Sequence, residues 1–273
     1  MGDDSFGRGF GVPRWPCREG SRVLGPGRAR HFVDTDPDWM RAALVPSTAI
    51  WSFAIWVKTS DVSQSLVGIY KAATTDGVHE LLMSASGNVR QWIEQDNGLG
   101  TNQDHGVGEV LTAIDDGEWH CVCGSVNATT MSVWVDGVPG SYDPPGAPPT
   151  NANPMTHGRT LPNPTHISLG YRYLAPPWNG FAYLGDQDEC SWWDGYYLTD
   201  ADAIALNTLG RDNTKRYYDG DAGEFGDATV QAPTAHWSLS ETLNPTNVGK
   251  DEVGSIDLTD NGTTDVEGIP AGD

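Results

Sequence analysis

The chain has 273 residues, with 16 basic and 37 acidic side chains, and a formal net charge of −21. That charge repels phosphates and argues against nucleic acid as the main partner. Glycine (33) and proline (18) are abundant and aromatics make up 10%, which favours many short strands and turns over long helices. No apolar run is long enough for a membrane-spanning helix.

Residues 1–30 differ from the rest. They carry Arg8, Arg14, Arg18, Arg22, Arg28 and Arg30 against Asp3, Asp4 and Glu19, so the segment is +3 and the remainder −24. It is rich in Gly and Pro and has no hydrophobic periodicity, so it cannot build a core of its own. Two readings stand: a disordered tail, or an extended arm that docks on a partner. The polar start MGDDSFGRGF has no apolar segment of the secretory kind, which sets the expectation of a protein made and kept in a cytoplasm.

Pro37–Leu44 reads as a short helix or turn. Ile50–Lys58 is apolar on both alternating faces, as a central sandwich strand would be. Leu66–Tyr70, Glu80–Ser84 and Val89–Glu94 read as further strands separated by Gly, Asp and Asn turns. Asp115–Gly117 is a turn into the strand Trp119–Val126, and Met131–Val135 ends in Asp136-Gly137, a hairpin signal. Cys121 and Cys123 fall on one face of their strand and are poorly placed to bond each other. With Cys17 and Cys190 they read as reduced thiols, since no second ligand pair with zinc spacing exists. Ser141–Thr165 is proline-rich and reads as a loop. Ile167–Tyr171 resumes the sheet. Phe181–Leu184 reads as an apolar strand followed by an acidic turn, then a strand with Trp192 and Trp193, an Asp194-Gly195 turn, and a helix capped by Thr199 with Asp202 three residues on. Ala235–Leu239 and Ile256–Gly262 read as late strands.

Two of these stretches carry a resemblance. Gly180–Leu206 (GFAYLGDQDECSWWDGYYLTDADAIAL) and Asp115–Gly137 (DDGEWHCVCGSVNATTMSVWVDG) resemble the laminin-G-like, concanavalin-A-like jelly-roll family in order and spacing. The resemblance spans roughly residues 31–210 and implies an all-β sandwich of two antiparallel sheets with one short helix. The C-terminal pieces AHWSL and IDLTDNG resemble segments that open the jelly roll in phage and bacterial members. Here they come last, so residues 211–273 are expected to complete the same sandwich, as in a permuted chain, or to pair with a neighbour.

No nucleophile–base pair, HExxH, GxSxG or phosphate loop occurs, and the ExDxxE pattern of jelly-roll glycosidases is missing. A glycoside hydrolase is therefore the least favoured reading. Asp186 and Asp188 share a face of an extended strand. With Asp136 they are the candidate Ca²⁺ ligands, because related domains hold calcium with Asp and backbone oxygens at the sandwich rim; the alternative is a solvated acidic turn. His120 reads as a satisfied core or edge residue. Trp51, Trp56, Trp119, Trp134 and Trp237 read as core. Trp178, beside Tyr171 and Tyr173 in the APPWNG loop, is the candidate glycan or partner contact. The resemblance, the arm and the LTDNG segment together imply a non-enzymatic virion structural protein, a capsid decoration, tail or fibre component whose arm binds other virion proteins in an oligomeric assembly. The alternative is a glycan-binding module, Ca²⁺-dependent or not.

Overall fold

The computed structural model describes residues 28–32, 39–70, 78–96, 102–142, 155–156, 164–170, 182–209, 230–237, 239, 253–261 and 264–267. In chain order the strands are β1 (Arg28–Phe32), β2 (Trp39–Ala43), β3 (Trp51–Lys58), β4 (Ser65–Tyr70), β5 (Val78–Met83), β6 (Asn88–Asp96), β7 (Asn102–Ala113), β8 (Trp119–Val126) and β9 (Thr130–Val135). They continue as β10 (Val138–Pro139), β11 (Ser141–Tyr142), β12 (Met155–Thr156), β13 (His166–Leu169), β14 (Gly185–Asp194), β15 (Ala235–Trp237), β16 (Thr259–Asn261) and β17 (Thr264–Glu267). Helix α1 spans Asp200–Leu209.

The first sheet runs β10-β9-β8-β3-β14-β1-β17, with β12 also on β9 and β15 also on β14. The second runs β11-β7-β6-β5-β4-β13-β2-β16. The pairings are antiparallel throughout. This is a jelly-roll sandwich. Strands β15, β16 and β17 pair with β14, β2 and β1 of the same chain, so the last strands stand beside the first at one edge of both sheets.

Strand β3 shows how the layers form. Trp51, Phe53, Ile55 and Val57 point into the core between the sheets, where they meet Leu81, Met83, Val122 and Val133. Ala54 and Trp56 point outward into a second cluster with Cys121, Cys123, Trp134 and Trp193. Alternation of side chains across the strand makes both faces apolar because both are covered. The outer cover includes α1, whose Ala203 and Leu206 are buried in that cluster. Burying a leucine of this kind stabilises by about 1.5–3 kcal/mol. The helix starts where Thr199 and Asp202 cap each other: the Thr199 amide donates to Asp202 Oδ2 at 2.7 Å, and the Asp202 amide donates to Thr199 Oγ1 at 3.3 Å.

Several sequence expectations are corrected. Pro37–Leu44 holds strand β2 in place of a helix or turn: Met40 and Ala42 face the core while the strand lies between β13 and β16. Phe181–Leu184 is not a strand where described; Ala182 makes an isolated bridge and the regular strand begins at Gly185. The expected acidic turn is the first half of β14. The proline-rich loop contains the short strands β11 and β12. Arg28 and Arg30, assigned to the arm, belong to β1, whose backbone pairs with β14 and β17. That pairing joins segments far apart in the chain, so composition alone could not reveal it.

Candidate functional site

Strand β14 carries a bulge between Asp188 and Ser191, with Glu189 at φ 47°. The bulge is needed because Gln187 and Trp192 both face inward yet differ in parity. Gln187 donates across the core to the carbonyl of Leu66 at 3.0 Å, and Trp192 joins the core cluster. Before the bulge, Asp186 and Asp188 share the outer face, opposite Lys58 and Trp56 of β3. Lys58 in turn lies opposite Trp119 of β8. One cross-strand row therefore reads Trp119, Lys58, Asp186, and all three are half-buried.

This row ends at an open cleft of about 290 Å³ on the sandwich rim, lined by Lys58, Thr59, Ser60, Asp61, Gly117, Leu184, Gly185 and Asp186. Its floor is held by Tyr183, which is fully buried. The Tyr183 hydroxyl accepts from the Lys58 amide at 3.1 Å and reaches the carbonyls of Lys58 and Asp186 at 3.0 and 2.9 Å. Burial pushes its pKa well above the usual tyrosine value, so it stays a donor. Gly185 is required beside it: at φ +140° a Cβ would stand 2.3 Å from the Lys58 carbonyl oxygen. Thr59 shapes the adjoining turn, donating to the Leu184 carbonyl at 2.5 Å and accepting from the Asp61 amide at 3.0 Å.

The far wall is Gly117, whose amide donates to the Thr59 carbonyl at 2.9 Å. Beside it His120 is clamped between two carboxylates. Nδ1 stands 2.7 Å from Asp136 Oδ2, and Nε2 3.0 Å from Asp116 Oδ1. Burial alone would lower the His120 pKa, but the hydrogen bonds and charges of Asp136 and Asp116 outweigh it and raise it to about 9. His120 is thus an imidazolium at neutral pH. The same interaction holds Asp116 below its ordinary value.

The structure does not bring the three candidate calcium ligands together. Asp136 is committed to His120 and to the Cys121 amide at 2.9 Å. It sits level with Cys121, Trp56 and Asp188 in successive strands, which puts it about 14 Å from Asp188. Asp188 is 1% exposed, and its Oδ1 accepts the Glu189 amide at 2.9 Å. Among the described residues no group of three His, Cys, Asp or Glu side chains is placed to hold a metal ion. Trp178, Tyr171 and Tyr173, with Arg8, Arg14, Arg18 and Arg22, lie outside the described residues.

The bulge also holds a serine–histidine–glutamate line that the sequence did not announce. His236 Nδ1 is 2.8 Å from Ser191 Oγ, and Nε2 is 2.9 Å from Glu189 Oε2. Ser191 and His236 have no exposed surface. With the serine sealed from substrate, the line ties β15 to the bulge of β14.

A sequence model of the family described as the concanavalin A-like lectin/glucanases superfamily, laminin G type, matches residues 38–202. The chain belongs to this superfamily. Among solved structures it is similar to a native heptameric SAP-like pentraxin from Limulus polyphemus, at 11% identity and TM-score 0.54, covering 90% of this chain and 96% of that one. It is also similar to a Bacteroides ovatus protein named for carbohydrate binding, at 13% identity and TM-score 0.53, covering 90% of this chain and 61% of that one. Neither is named as a virion component. No curated protein matches the chain in sequence.

Within this superfamily sandwich, sequence reasoning found Asp186 but missed its neighbours. Lys58 is the last residue of a run that is apolar on both faces. Trp119 was expected in the core but stands half-buried at the edge of the outer cluster. Tyr183 gave no signal at all, because its role depends on two backbone segments that only meet in the fold. The outer face of the second sheet offers another in-register row, Arg41, Ser168, Gly68, Glu80 and Trp92, but its Glu80 is fully buried.

Proposed function

We propose that the chain is a carbohydrate-binding module whose ligand seats in the rim cleft beside Lys58 and Asp186. The observation that carries this reading is the pair Lys58–Asp186 lining a 290 Å³ opening, with Trp119 opposite Lys58 on the adjoining strand. A sugar ring presents apolar C–H faces and a ring of hydroxyls. An indole supplies a stacking surface for the first. An ammonium and a carboxylate supply strong donors and acceptors for the second. Ser60 and Asp61 add further polar groups at the rim. Membership of a lectin and glucanase superfamily and the likeness to a protein named for carbohydrate binding support the same reading.

The test is a glycan array probed with the wild-type protein and with Lys58→Ala, Asp186→Asn and Trp119→Ala. The wild type retains specific glycans, and each variant loses them while its melting temperature holds. Variants that bind the same glycans as the wild type would overturn the assignment of the cleft.

A further inference from the structure

We propose that His120 is a positioning residue for the cleft: through Asp116 it holds the turn 116–118, and so sets where the Gly117 wall stands. The inference rests on the reading of the cleft as a binding site.

Among the described residues the turn is held by hydrogen bonds. Asp116 is exposed, with about half of its side-chain surface in solvent (54%). Gly117 has φ +80°, and a Cβ built there would meet no atom within 4 Å. Side-chain packing therefore does not fix the wall. Hydrogen bonds do, and they form one chain. Asp136 anchors His120 from the β9 side at 2.7 Å and is itself fixed by the Cys121 amide at 2.9 Å. His120 holds Asp116 Oδ1 at 3.0 Å, and the same oxygen accepts the Glu118 amide at 2.9 Å, which closes the turn. Between Asp116 and Glu118, Gly117 donates to the Thr59 carbonyl at 2.9 Å and bridges the two walls of the cleft. Among the described residues His120, 8% exposed, is the buried side chain that holds the turn directly, and it links Asp116 to Asp136 across β8 and β9. Charge-assisted hydrogen bonds of this kind are about twice as strong as neutral ones.

The experiment is amide hydrogen exchange by NMR on the free protein at near-neutral pH, comparing wild type, His120→Gln and Asp116→Asn. Gly117 reports the bond that spans the cleft, while Val122 and Ile55 report the sheet. In His120→Gln the Gly117 protection falls about tenfold or more with Val122 and Ile55 unchanged. In Asp116→Asn, a change at an exposed side chain that leaves the fold intact, it falls in the same direction by less. Unchanged Gly117 protection in both variants would overturn the proposal, and so would an equal loss at Gly117, Val122 and Ile55. Because no glycan enters this measurement, a silent glycan array would reject the cleft as a sugar site while leaving the positioning result to stand on its own.

Discussion

Trp51 and His79 come from opposite sheets and share a hydrogen bond of 2.7 Å in the middle of the sandwich. An indole N–H can only donate, so His79 Nδ1 accepts. Both side chains are buried, and the ring of Phe53 lies 5.5 Å from the imidazole. A second cross-sheet bond runs from Gln91 of β6, whose side-chain amide donates to the Ser125 carbonyl of β8 at 2.8 Å. The two sheets are therefore joined by directed bonds as well as by apolar contact.

Replacing Trp51 with Phe keeps much of the ring but leaves the His79 acceptor buried without its donor. That exposes the full desolvation cost of the group, about 1–3 kcal/mol. Urea denaturation should show a lowered midpoint with an unchanged slope. A midpoint equal to wild type would mean that the cross-sheet bond contributes nothing.

The His120 clamp predicts a pH dependence of stability. Its pKa is raised from 6.5 to about 9 on folding, so folding favours the protonated form. The contribution is complete below the unfolded value and fades as pH rises through the folded one. It amounts to at most about 3 kcal/mol, an upper bound because Asp116 is largely in solvent. Urea midpoints should fall between neutral pH and pH above about 9, and Asp116→Asn should shrink the fall. A flat profile in the wild type would contradict the clamp.

Thr199 and Asp202 should act as one unit at the start of α1. Thr199→Ala removes the acceptor for the Asp202 amide and a donor to Asp202 Oδ2. Loss of such a cap costs about 0.5–2 kcal/mol. Thermal denaturation of the single and double alanine variants should show that the double variant loses less than the sum of the singles.

Cys121, Cys123 and Cys190 are buried free thiols, and Cys121 and Cys123 lie with their sulfurs 3.9 Å apart on one face. Burial raises the Cys190 pKa far above the ordinary thiol range, and the Cys123 contact and burial do the same for Cys121. A thiolate is the reactive form. Alkylation mapped by mass spectrometry should leave these positions unmodified in the native protein and label them in denaturant. Rapid native labelling at Cys121 would show that the outer cluster opens.

Much of the frame was legible from residues alone. The doubly apolar run Trp51–Lys58, the Asp136-Gly137 hairpin and the Thr199 cap each carry their cause within a few neighbouring residues. Strand β7 was not legible, because NQDHGVGEVLTA has no sustained alternation and becomes a strand by pairing with β6. Strand β17 was missed for the same reason: TDVE is a short edge strand that forms by pairing with β1. At the site, Asp186 stood out as an acid. Its partnership with Lys58 and Trp119 did not, since it rests on the register among β14, β3 and β8.

What the amino-acid sequence determined by itself is local: where strands turn, where the helix starts, which stretches are apolar on one face or two, and that the surface is acidic. The tertiary structure decided everything that depends on register. The bulge at Glu189 chose which acids face outward and sent Trp192 into the core. The pairing of β3 with β14 put Lys58 beside Asp186, and Tyr183 locked their backbones together. The hairpin of β8 and β9 brought Asp136 to His120 and away from Asp188. A one-residue slip in any of these ladders would turn every side chain to the other face, so no composition or motif could have specified the cleft.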